Sequence, residues 1–189
     1  MIITEPKWKR WVVETTGHIF TPKLCQEIID LSKTLPKEKA TVYEGKNTDL
    51  ARKSTVSWLP FDKMQPMYDD INNFIQKTNR NHFGFGDIQI RERAQITEYT
   101  KGGHYDWHTD TSLDMDHEPP VRKLSMTLLL NDPSEFEGGE LQIAGAKNTK
   151  TMKQGHATIF ASFLQHTVTP VTRGVRRSLV MWFGGEPFK

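Results

Sequence analysis

A histidine and an aspartate separated by one residue, His108 and Asp110, have the spacing of a metal-binding pair. Residues two apart on an extended segment project to the same side of the chain. A second histidine, His166, is available on a later segment. Two histidines and one carboxylate can cover one face of a metal octahedron and leave the opposite positions open, which is the ligand set of non-haem Fe(II) oxygenases. The sequence therefore predicts an Fe(II) site built from a His-x-Asp pair and a distant histidine.

A second pair with the same spacing, His104 and Asp106, lies just before the first pair. If this segment is a regular strand, all four side chains face the same way. Spacing within the strand therefore does not choose between the two pairs.

Arg176 and Ser178 form a second candidate site, this time for an anion. They lie two apart on a predicted strand, so both point inward while Arg177 points outward. A guanidinium group and a hydroxyl at this spacing can hold a carboxylate.

The order of these motifs resembles a known family. The segment Tyr99–Asp110 has the pattern Tyr-x-x-Gly-Gly-x-Tyr-x-x-His-x-Asp, and it is followed by Glu137-Gly-Gly-Glu140, His166, Pro170-Val171 and Arg173-Gly174. Together the motifs resemble the prolyl 4-hydroxylase branch of the Fe(II)/2-oxoglutarate dioxygenases. The region from about residue 95 to 185 is most similar to the small bacterial PKHD-type hydroxylases.

The resemblance implies a role for each residue that matches the family's motifs. It selects His108 and Asp110 as iron ligands over the upstream pair. It implies that Arg176 binds the distal carboxylate of 2-oxoglutarate and that Tyr99 is a second donor to it. The spacing along the predicted strands adds the hydroxyl of Ser178 and that of Ser125 or Thr127. It implies contacts with the substrate through Tyr105, Trp182 and His104. The small molecules it implies are Fe(II), 2-oxoglutarate, dioxygen, and ascorbate as a reductant.

The activity implied by the resemblance is hydroxylation of a C–H bond, with a prolyl residue of a peptide or protein as the substrate. Two alternatives stay open: a hydroxylase of a free amino acid or small metabolite, and a non-catalytic metal-binding jelly roll. A nucleic-acid demethylase of the superfamily is disfavoured, because the segment from Arg176 to Trp182 lacks the expected Arg-x-Asn-x-x-x-x-x-Arg ending. Asp110 argues against halogenation, since halogenases of the superfamily lack this carboxylate.

Two features depart from the family pattern. Collagen-type prolyl 4-hydroxylases have lysine at the position of Arg176, whereas the PKHD-type and oxygen-sensing enzymes have arginine. Arginine can grip a carboxylate bidentately and lysine cannot. The PKHD-type enzymes also continue past the last strand, whereas this sequence stops at Lys189, so we expect that their substrate does not transfer directly.

The composition fits one soluble domain. The chain has 189 residues, of which 36% are apolar and 25% charged, so it is long enough to bury a core and is not disordered in composition. The formal charge of +2 is too small to indicate nucleic acid. The single cysteine, Cys25, suits a reducing compartment and a small core position. With no apolar run of membrane-spanning length, we expect a cytoplasmic protein.

The periodicity predicts helices followed by a series of short strands. Apolar residues at helical spacing predict helices over about 22–34 and from about 62 or 66 to 80, and Thr21-Pro22 forms the start of the first. Short strands are predicted at roughly 11–20, 54–59, 104–110, 121–130, 139–144, 157–161, 166–171 and 176–183.

We therefore expect a mainly β fold: a double-stranded β-helix of the jelly-roll or cupin type, buttressed by the N-terminal helices. A single domain would cover residues 1–189, with a strand-and-helix support over about 1–85 and the β-helix core over about 86–185.

Overall fold

The computed structural model of the chain describes residues 10–41, 48–111, 121–146 and 153–187. Its helices and strands are, in chain order, β1 Val12–Glu14, α1 Pro22–Ser32, β2 Glu38–Lys39, α2 Thr48–Ala51, β3 Arg52–Lys53, β4 Thr55–Leu59, α3 Gln65–Thr78, β5 Gln89–Ile90, β6 Ala94–Tyr99, β7 His104–His108, β8 Val121–Leu129, β9 Phe136–Gly138, β10 Leu141–Ile143, β11 Ala157–Ala161, β12 His166–Val168, β13 Val171–Gly174 and β14 Arg176–Gly185.

The strands form antiparallel sheets of the predicted jelly-roll type. The larger sheet has eight strands in the order β1-β11-β8-β14-β6-β4-β2, with β5 also paired to β14. The smaller sheet has the order β10-β12-β7-β3, and β13 pairs with β9. An apolar cluster joins the two sheets, with Tyr99 and Phe160 from the larger sheet and Leu141, Ile143 and Val168 from the smaller one. The expectation of a mainly β jelly roll is confirmed.

Helices α1 and α3 cover the outer face of the larger sheet, as the sequence predicted. Ile28 of α1 and Ile71 of α3 are fully buried in the same cluster as Leu128 and Leu179 of the sheet. Cys25 is also buried there. The helices therefore support the sheet that carries the candidate anion site.

Helix α1 begins as the sequence predicted and α3 ends slightly earlier than predicted. The Thr21 hydroxyl accepts a hydrogen bond from the Leu24 N–H at 3.2 Å, and Pro22 is the first helical residue. Helix α3 ends at Thr78, and a single π-helical turn follows over Asn79–Phe83. None of the helices in the described ranges is long and apolar enough to cross a membrane.

Alternation along the strands gives the larger sheet an apolar outer face and an inner face that carries both apolar and polar side chains. On β14, Leu179 and Met181 belong to the core shared with the helices, whereas Arg176 and Ser178 lie on the opposite face. Buried polar groups need hydrogen-bond partners or ligands. The inner face is therefore where a bound molecule can be recognised.

Several predicted strands are shorter than expected or divided, among them 139–144, which is a strand only over Leu141–Ile143. The segment 104–110 is a strand only to His108. The segment 166–171 is divided into β12 and β13 around Pro170, which has no N–H to donate to a ladder. The segment 11–20 is a strand only over Val12–Glu14, because the Ile19 and Phe20 N–H groups bond to the Gly155 carbonyl outside the ladder.

Candidate metal centre

The three predicted metal ligands converge at the end of β7 and the start of β12. His108 is the last residue of β7 and lies directly across the ladder from His166, the first residue of β12. Asp110 Oδ1 lies 3.6 Å from His108 Nε2, and Asp110 Oδ2 lies 3.5 Å from His166 Nε2. The three potential ligand atoms all lie within 4.8 Å of one another. One ion between them could contact all three.

Asp110 lies beyond the end of β7 and is held by the turn after β11. Its N–H donates to the Ser162 carbonyl at 3.0 Å, and the Thr111 N–H donates to the same oxygen at 3.3 Å. The Ser125 hydroxyl hydrogen-bonds the Asp110 carboxylate and lies 2.9 Å from the Ser162 hydroxyl. Ser162, which the sequence analysis did not single out, therefore helps to position a metal ligand.

A β-bulge in β7 separates the two His-x-Asp pairs. Tyr105 pairs with Val168 and His108 pairs with His166, so β7 has one more residue than β12 between these two positions. A bulge of this kind interrupts the alternation of side chains. Tyr105 and His108 consequently stack on each other, with ring centroids 3.4 Å apart. The expectation that both pairs face the same way on a regular strand is therefore wrong.

A threonine on the neighbouring strand stabilises this bulge. The Thr167 hydroxyl donates to the Tyr105 carbonyl at 2.7 Å. The carbonyl of Asp106 lies 2.7 Å from His108 Nδ1. Both contacts satisfy backbone oxygens of bulge residues, and the second also orients a metal ligand.

His104 lies outside the group of metal ligands and outside the cavity lining. Its Nε2 is 2.9 Å from the Leu50 carbonyl, and its Nδ1 is 3.0 Å from the Gly102 carbonyl. Two carbonyl partners require an N–H on both ring nitrogens, which raises the pKa of His104 above its ordinary value. The structure therefore shows a His104 ring whose two nitrogens both hydrogen-bond to backbone carbonyls. The predicted contact of His104 with substrate stays a prediction.

Hydrogen bonds fix the tautomers of the two histidine ligands. His108 Nδ1 faces the Asp106 carbonyl, and His166 Nδ1 lies 3.0 Å from the Leu164 carbonyl. Because a carbonyl only accepts, each Nδ1 carries the proton. With an ion bound, each Nε2 would be left to offer its lone pair to that ion, on the side of the Asp110 carboxylate.

The protonation states also fit a divalent metal. Burial alone would raise the pKa of Asp110, but the nearby imidazoles of His108 and His166 and the Ser125 hydroxyl outweigh it and hold that pKa below its ordinary value. Burial lowers the pKa of His166, which favours the neutral imidazole. An ionised carboxylate and neutral imidazoles are the forms that bind metals. The donor set is therefore suited to Fe(II).

The predicted carboxylate-binding residues are neighbours on the inner face of the larger sheet. Arg176 is 2% exposed, and its Nη1 donates to the Ser178 hydroxyl at 3.0 Å. Its guanidinium carbon lies 5.7 Å from the ring centre of Tyr99, the residue directly across the ladder. Arg177 points the other way, toward Glu98 at 3.4 Å. The structure thus places Arg176, Ser178 and Tyr99 together.

The Glu137–Glu140 motif packs against Arg176. Gly139 has a φ of 67°, a conformation that favours glycine. A Cβ built on Gly139 would lie 2.7 Å from Arg176 Cδ and 2.9 Å from Val171 Cγ2. Gly139 follows β9 directly, and its close approach to Arg176 Cδ restricts the stem of the arginine.

One cavity of ≈ 820 Å³ contains both candidate sites. This volume is in the range of small-molecule binding sites. Most of the predicted site residues line the cavity: His108, Asp110, His166, Arg176, Tyr99, Ser178, Thr127, Tyr105 and Trp182. Of the two hydroxyl residues predicted on β8, Thr127 lines the cavity, whereas Ser125 lies against Asp110.

Trp182 contributes a hydrogen-bond donor to this cavity, and this donor lacks an acceptor among the described residues. The donor is the indole Nε1, which is buried. Arg122 lies over the ring at 4.0 Å, pairs with Glu92 at 2.7 Å, and donates to the Asp110 carbonyl at 3.3 Å. A buried donor without a partner is rare in native proteins. An oxygen atom of a bound ligand would serve as its acceptor.

Arg52 is a cavity residue that the sequence analysis did not single out. Its guanidinium carbon lies 4.5 Å above the Tyr105 ring, and its Nη2 donates to Gln95 Oε1 at 3.0 Å. No motif surrounds Arg52 in the sequence, and Gln95 lies on a distant strand. Only the folded chain reveals the contact.

Comparison with known proteins gives both a family and a fold. Residues 94–184 match the 2OG-Fe(II) oxygenase superfamily. A PKHD-type hydroxylase of Acidovorax ebreus is 36% identical over 93 residues, which make up 47% of this chain and 41% of that protein. A PKHD-type hydroxylase of Klebsiella pneumoniae is 30% identical over 171 residues, which make up 86% of this chain and 70% of that protein.

A solved structure shows a similar fold. The viral collagen prolyl hydroxylase of Paramecium Bursaria Chlorella virus-1 has a TM-score of 0.74 at 17% identity, over 94% of this chain and 97% of that one. At this identity the likeness concerns the fold, which agrees with the jelly roll described above.

Proposed function

We propose that this chain, which belongs to the 2OG-Fe(II) oxygenase superfamily, hydroxylates a C–H bond of a prolyl residue in a peptide or protein. The observation that carries the proposal is that a His-Asp-His ligand set, a buried arginine and aromatic walls share one cavity. Bound Fe(II), with 2-oxoglutarate and dioxygen, would supply the oxidising chemistry: one oxygen atom enters the substrate C–H bond, and the other enters the succinate formed as carbon dioxide leaves.

In this proposal the protein positions the two reactants and excludes water. His108, Asp110 and His166 hold the metal, and Arg176 with the Ser178 hydroxyl holds the distal carboxylate of 2-oxoglutarate. Tyr99, across the ladder from Arg176, offers a further hydroxyl. These groups are fixed in strands, so the cosubstrate binds in one orientation.

The aromatic residues of the cavity support a prolyl substrate. Tyr105 stacks on the metal ligand His108, and Trp182 lies 6.4 Å from Trp58 between ring centres. A proline ring is apolar and packs well on such faces. The buried Trp182 Nε1 could donate to a carbonyl oxygen of the peptide. The similarity in fold to a collagen prolyl hydroxylase also supports this substrate class.

The two alternatives make different demands on the cavity. A non-catalytic metal-binding jelly roll would not need the buried Arg176–Ser178 pair beside the metal ligands. A free amino acid or small metabolite is the second candidate, because Arg52 gives the cavity another buried cation.

Succinate release and mass spectrometry of candidate peptides test the proposal. With Fe(II) and 2-oxoglutarate, proline-containing peptides should stimulate succinate release and gain one oxygen atom. Both signals should vanish when the proline is replaced by alanine. Turnover driven by free amino acids or methylated oligonucleotides, with every proline peptide inactive, would contradict the prolyl assignment.

Matched variants on β7 test the aromatic wall. Tyr105→Ala should impair peptide hydroxylation more than it impairs binding of iron or 2-oxoglutarate. Trp107 lies on the same strand but is 52% exposed, so Trp107→Ala is the control and should have little effect. Trp182→Ala should behave like Tyr105→Ala.

A further inference from the structure

We infer that Arg52 forms a second anion-binding subsite of the cavity, which binds a carboxylate group carried by the substrate. This inference rests on the proposed function, because it concerns how the same cavity selects its prolyl substrate. It is separate from the binding of 2-oxoglutarate, which the proposed function gives to Arg176.

Arg52 is a buried cation whose partners are neutral. It is 8% exposed. Its Nε donates to the Ser54 hydroxyl at 3.0 Å, and its Nη2 donates to the amide oxygen of Gln95 at 3.0 Å. The hydroxyls of Tyr99 and Tyr105 are also in hydrogen-bond contact with it. Within the described part of the chain, no carboxylate pairs with Arg52.

Other arginines of the described sheets differ from Arg52 in this respect. Each of three pairs with a carboxylate: Arg122 with Glu92, Arg173 with Glu137, and Arg177 with Glu98. A guanidinium group stays charged at any physiological pH, and buried charges in proteins are normally paired. A buried guanidinium that meets only neutral groups and faces a cavity is therefore suited to an anion from outside the chain.

The position of Arg52 suits a group on the substrate. The Tyr105 ring lies between Arg52 and His108, 4.5 Å from the guanidinium carbon and 3.4 Å from the imidazole centre. One aromatic ring thus separates the proposed carboxylate site from a metal ligand. A ligand of one or two amino-acid residues could place its carboxylate at Arg52 and a C–H bond near the metal.

The two buried arginines come from different sheets. Arg52 lies on β3 of the smaller sheet, and Arg176 lies on β14 of the larger sheet. Three acidic residues also line the cavity, and none of them pairs with Arg52: Asp110 belongs to the metal-ligand group, Glu92 pairs with Arg122, and Glu38 is exposed on the short strand β2.

Two sources could supply the carboxylate. One is the α-carboxylate of a C-terminal or free proline, and the other is an acidic side chain beside an internal prolyl residue. The planar carboxylate is the same in both, and the fork of arginine N–H groups matches its two oxygens.

Isothermal titration with a matched pair of probes tests the inference. N-acetyl-L-proline and N-acetyl-L-prolinamide differ in the carboxylate, and the first arm compares their affinities. The second arm compares blocked peptides that contain Asp-Pro or Asn-Pro. The wild-type protein should prefer the acidic member of at least one pair by tenfold or more, and the pair that shows it identifies the source.

Variants assign the preference to Arg52. Arg52→Gln should abolish it, and Arg52→Lys should keep part of it through the remaining charge. Arg173→Gln, at an exposed ion pair on β13, is the matched control and should keep it in full. A purely structural role for Arg52 would instead weaken acid and amide equally.

The outcomes separate this inference from the proposed function. Equal affinities within both pairs, undetectable binding of both acids, or a preference that persists in Arg52→Gln would overturn the subsite. An Arg52-dependent preference without hydroxylation of any proline probe would confirm the subsite and contradict the prolyl assignment. Hydroxylation of proline probes without an acid preference would support the prolyl assignment and contradict the subsite.

Discussion

At the scale of single residues, Arg176 is the residue that we propose binds the distal carboxylate of the cosubstrate. Its guanidinium group donates to Ser178 and its stem lies against Gly139, so its position is set before a ligand arrives. Such preorganisation reduces the ordering cost of binding. The alternation of β14 made Arg176 and Ser178 predictable from sequence, because both face inward while Arg177 faces Glu98.

Arg176→Ala should weaken 2-oxoglutarate binding about ten- to a hundredfold, because a buried hydrogen bond to a charged group is typically worth roughly 1.5–3 kcal/mol. Titration of 2-oxoglutarate into the metal-loaded protein measures this. Arg177→Ala should change the affinity little, since its side chain points away from the cavity. Equal effects of the two substitutions would show that the register of β14 is misassigned.

His104 should make stability depend on pH near neutrality. Hydrogen bonds to the Leu50 and Gly102 carbonyls raise its pKa above the ordinary 6.5. A raised folded-state pKa adds stability that is fully present below pH 6.5 and is lost as pH rises through the folded-state value. His104→Gln removes this contribution.

Urea unfolding of both proteins at pH 6 and pH 8 measures the effect. The wild-type protein should exceed His104→Gln in stability by more at pH 6 than at pH 8. Comparing the two proteins cancels the pH dependence of the remaining groups, including His166. A larger advantage at pH 8 would mean that His104 is neutral and bound differently.

At the scale of elements, local signals predicted the helices and long-range contacts set the details of the strands. The start of α1 follows from Thr21 and Pro22, which are neighbours in sequence. The bulge in β7 depends on Thr167, which lies on another strand. A pattern of alternating residues carries no information about such a cross-strand contact, so the sequence did not separate the two His-x-Asp pairs.

Gly139→Ala should displace Arg176 and so lower the affinity for 2-oxoglutarate. The new methyl group would meet the arginine stem, and the backbone would be held at a positive φ. Gly145→Ala is the matched control, because Gly145 also has a positive φ but nothing within 4 Å of the new Cβ.

The left-handed backbone should destabilise both variants by about 1–2 kcal/mol. Thermal unfolding and 2-oxoglutarate titration together separate the backbone cost from the displacement of Arg176. Unchanged cosubstrate affinity in Gly139→Ala would argue against a role of Gly139 in holding the arginine.

At the scale of the whole molecule, the metal centre depends on tertiary structure. Its ligands come from β7, from the turn held by Ser162, and from β12. A site assembled in this way is absent from the unfolded chain, so metal binding stabilises the folded state. Iron at a hundredfold excess over its Kd should add about 2.7 kcal/mol to the free energy of unfolding.

Thermal unfolding of the full chain with and without Fe(II) under anaerobic conditions measures this effect. If residues 1–189 form the single domain that we propose, unfolding should occur in one transition that the metal moves upward as a whole. Two transitions, of which the metal moves only one, would divide the chain into separate units.

The central claim is that His108, Asp110 and His166 bind one Fe(II), and anaerobic metal titration of alanine variants tests it most directly. Replacing any one of the three should greatly weaken binding. His104→Ala and Asp106→Ala should leave it nearly intact, because the bulge in β7 puts the upstream pair out of phase with the ligands. Loss of binding in His104→Ala and Asp106→Ala, with the other three variants still binding iron, would contradict the account.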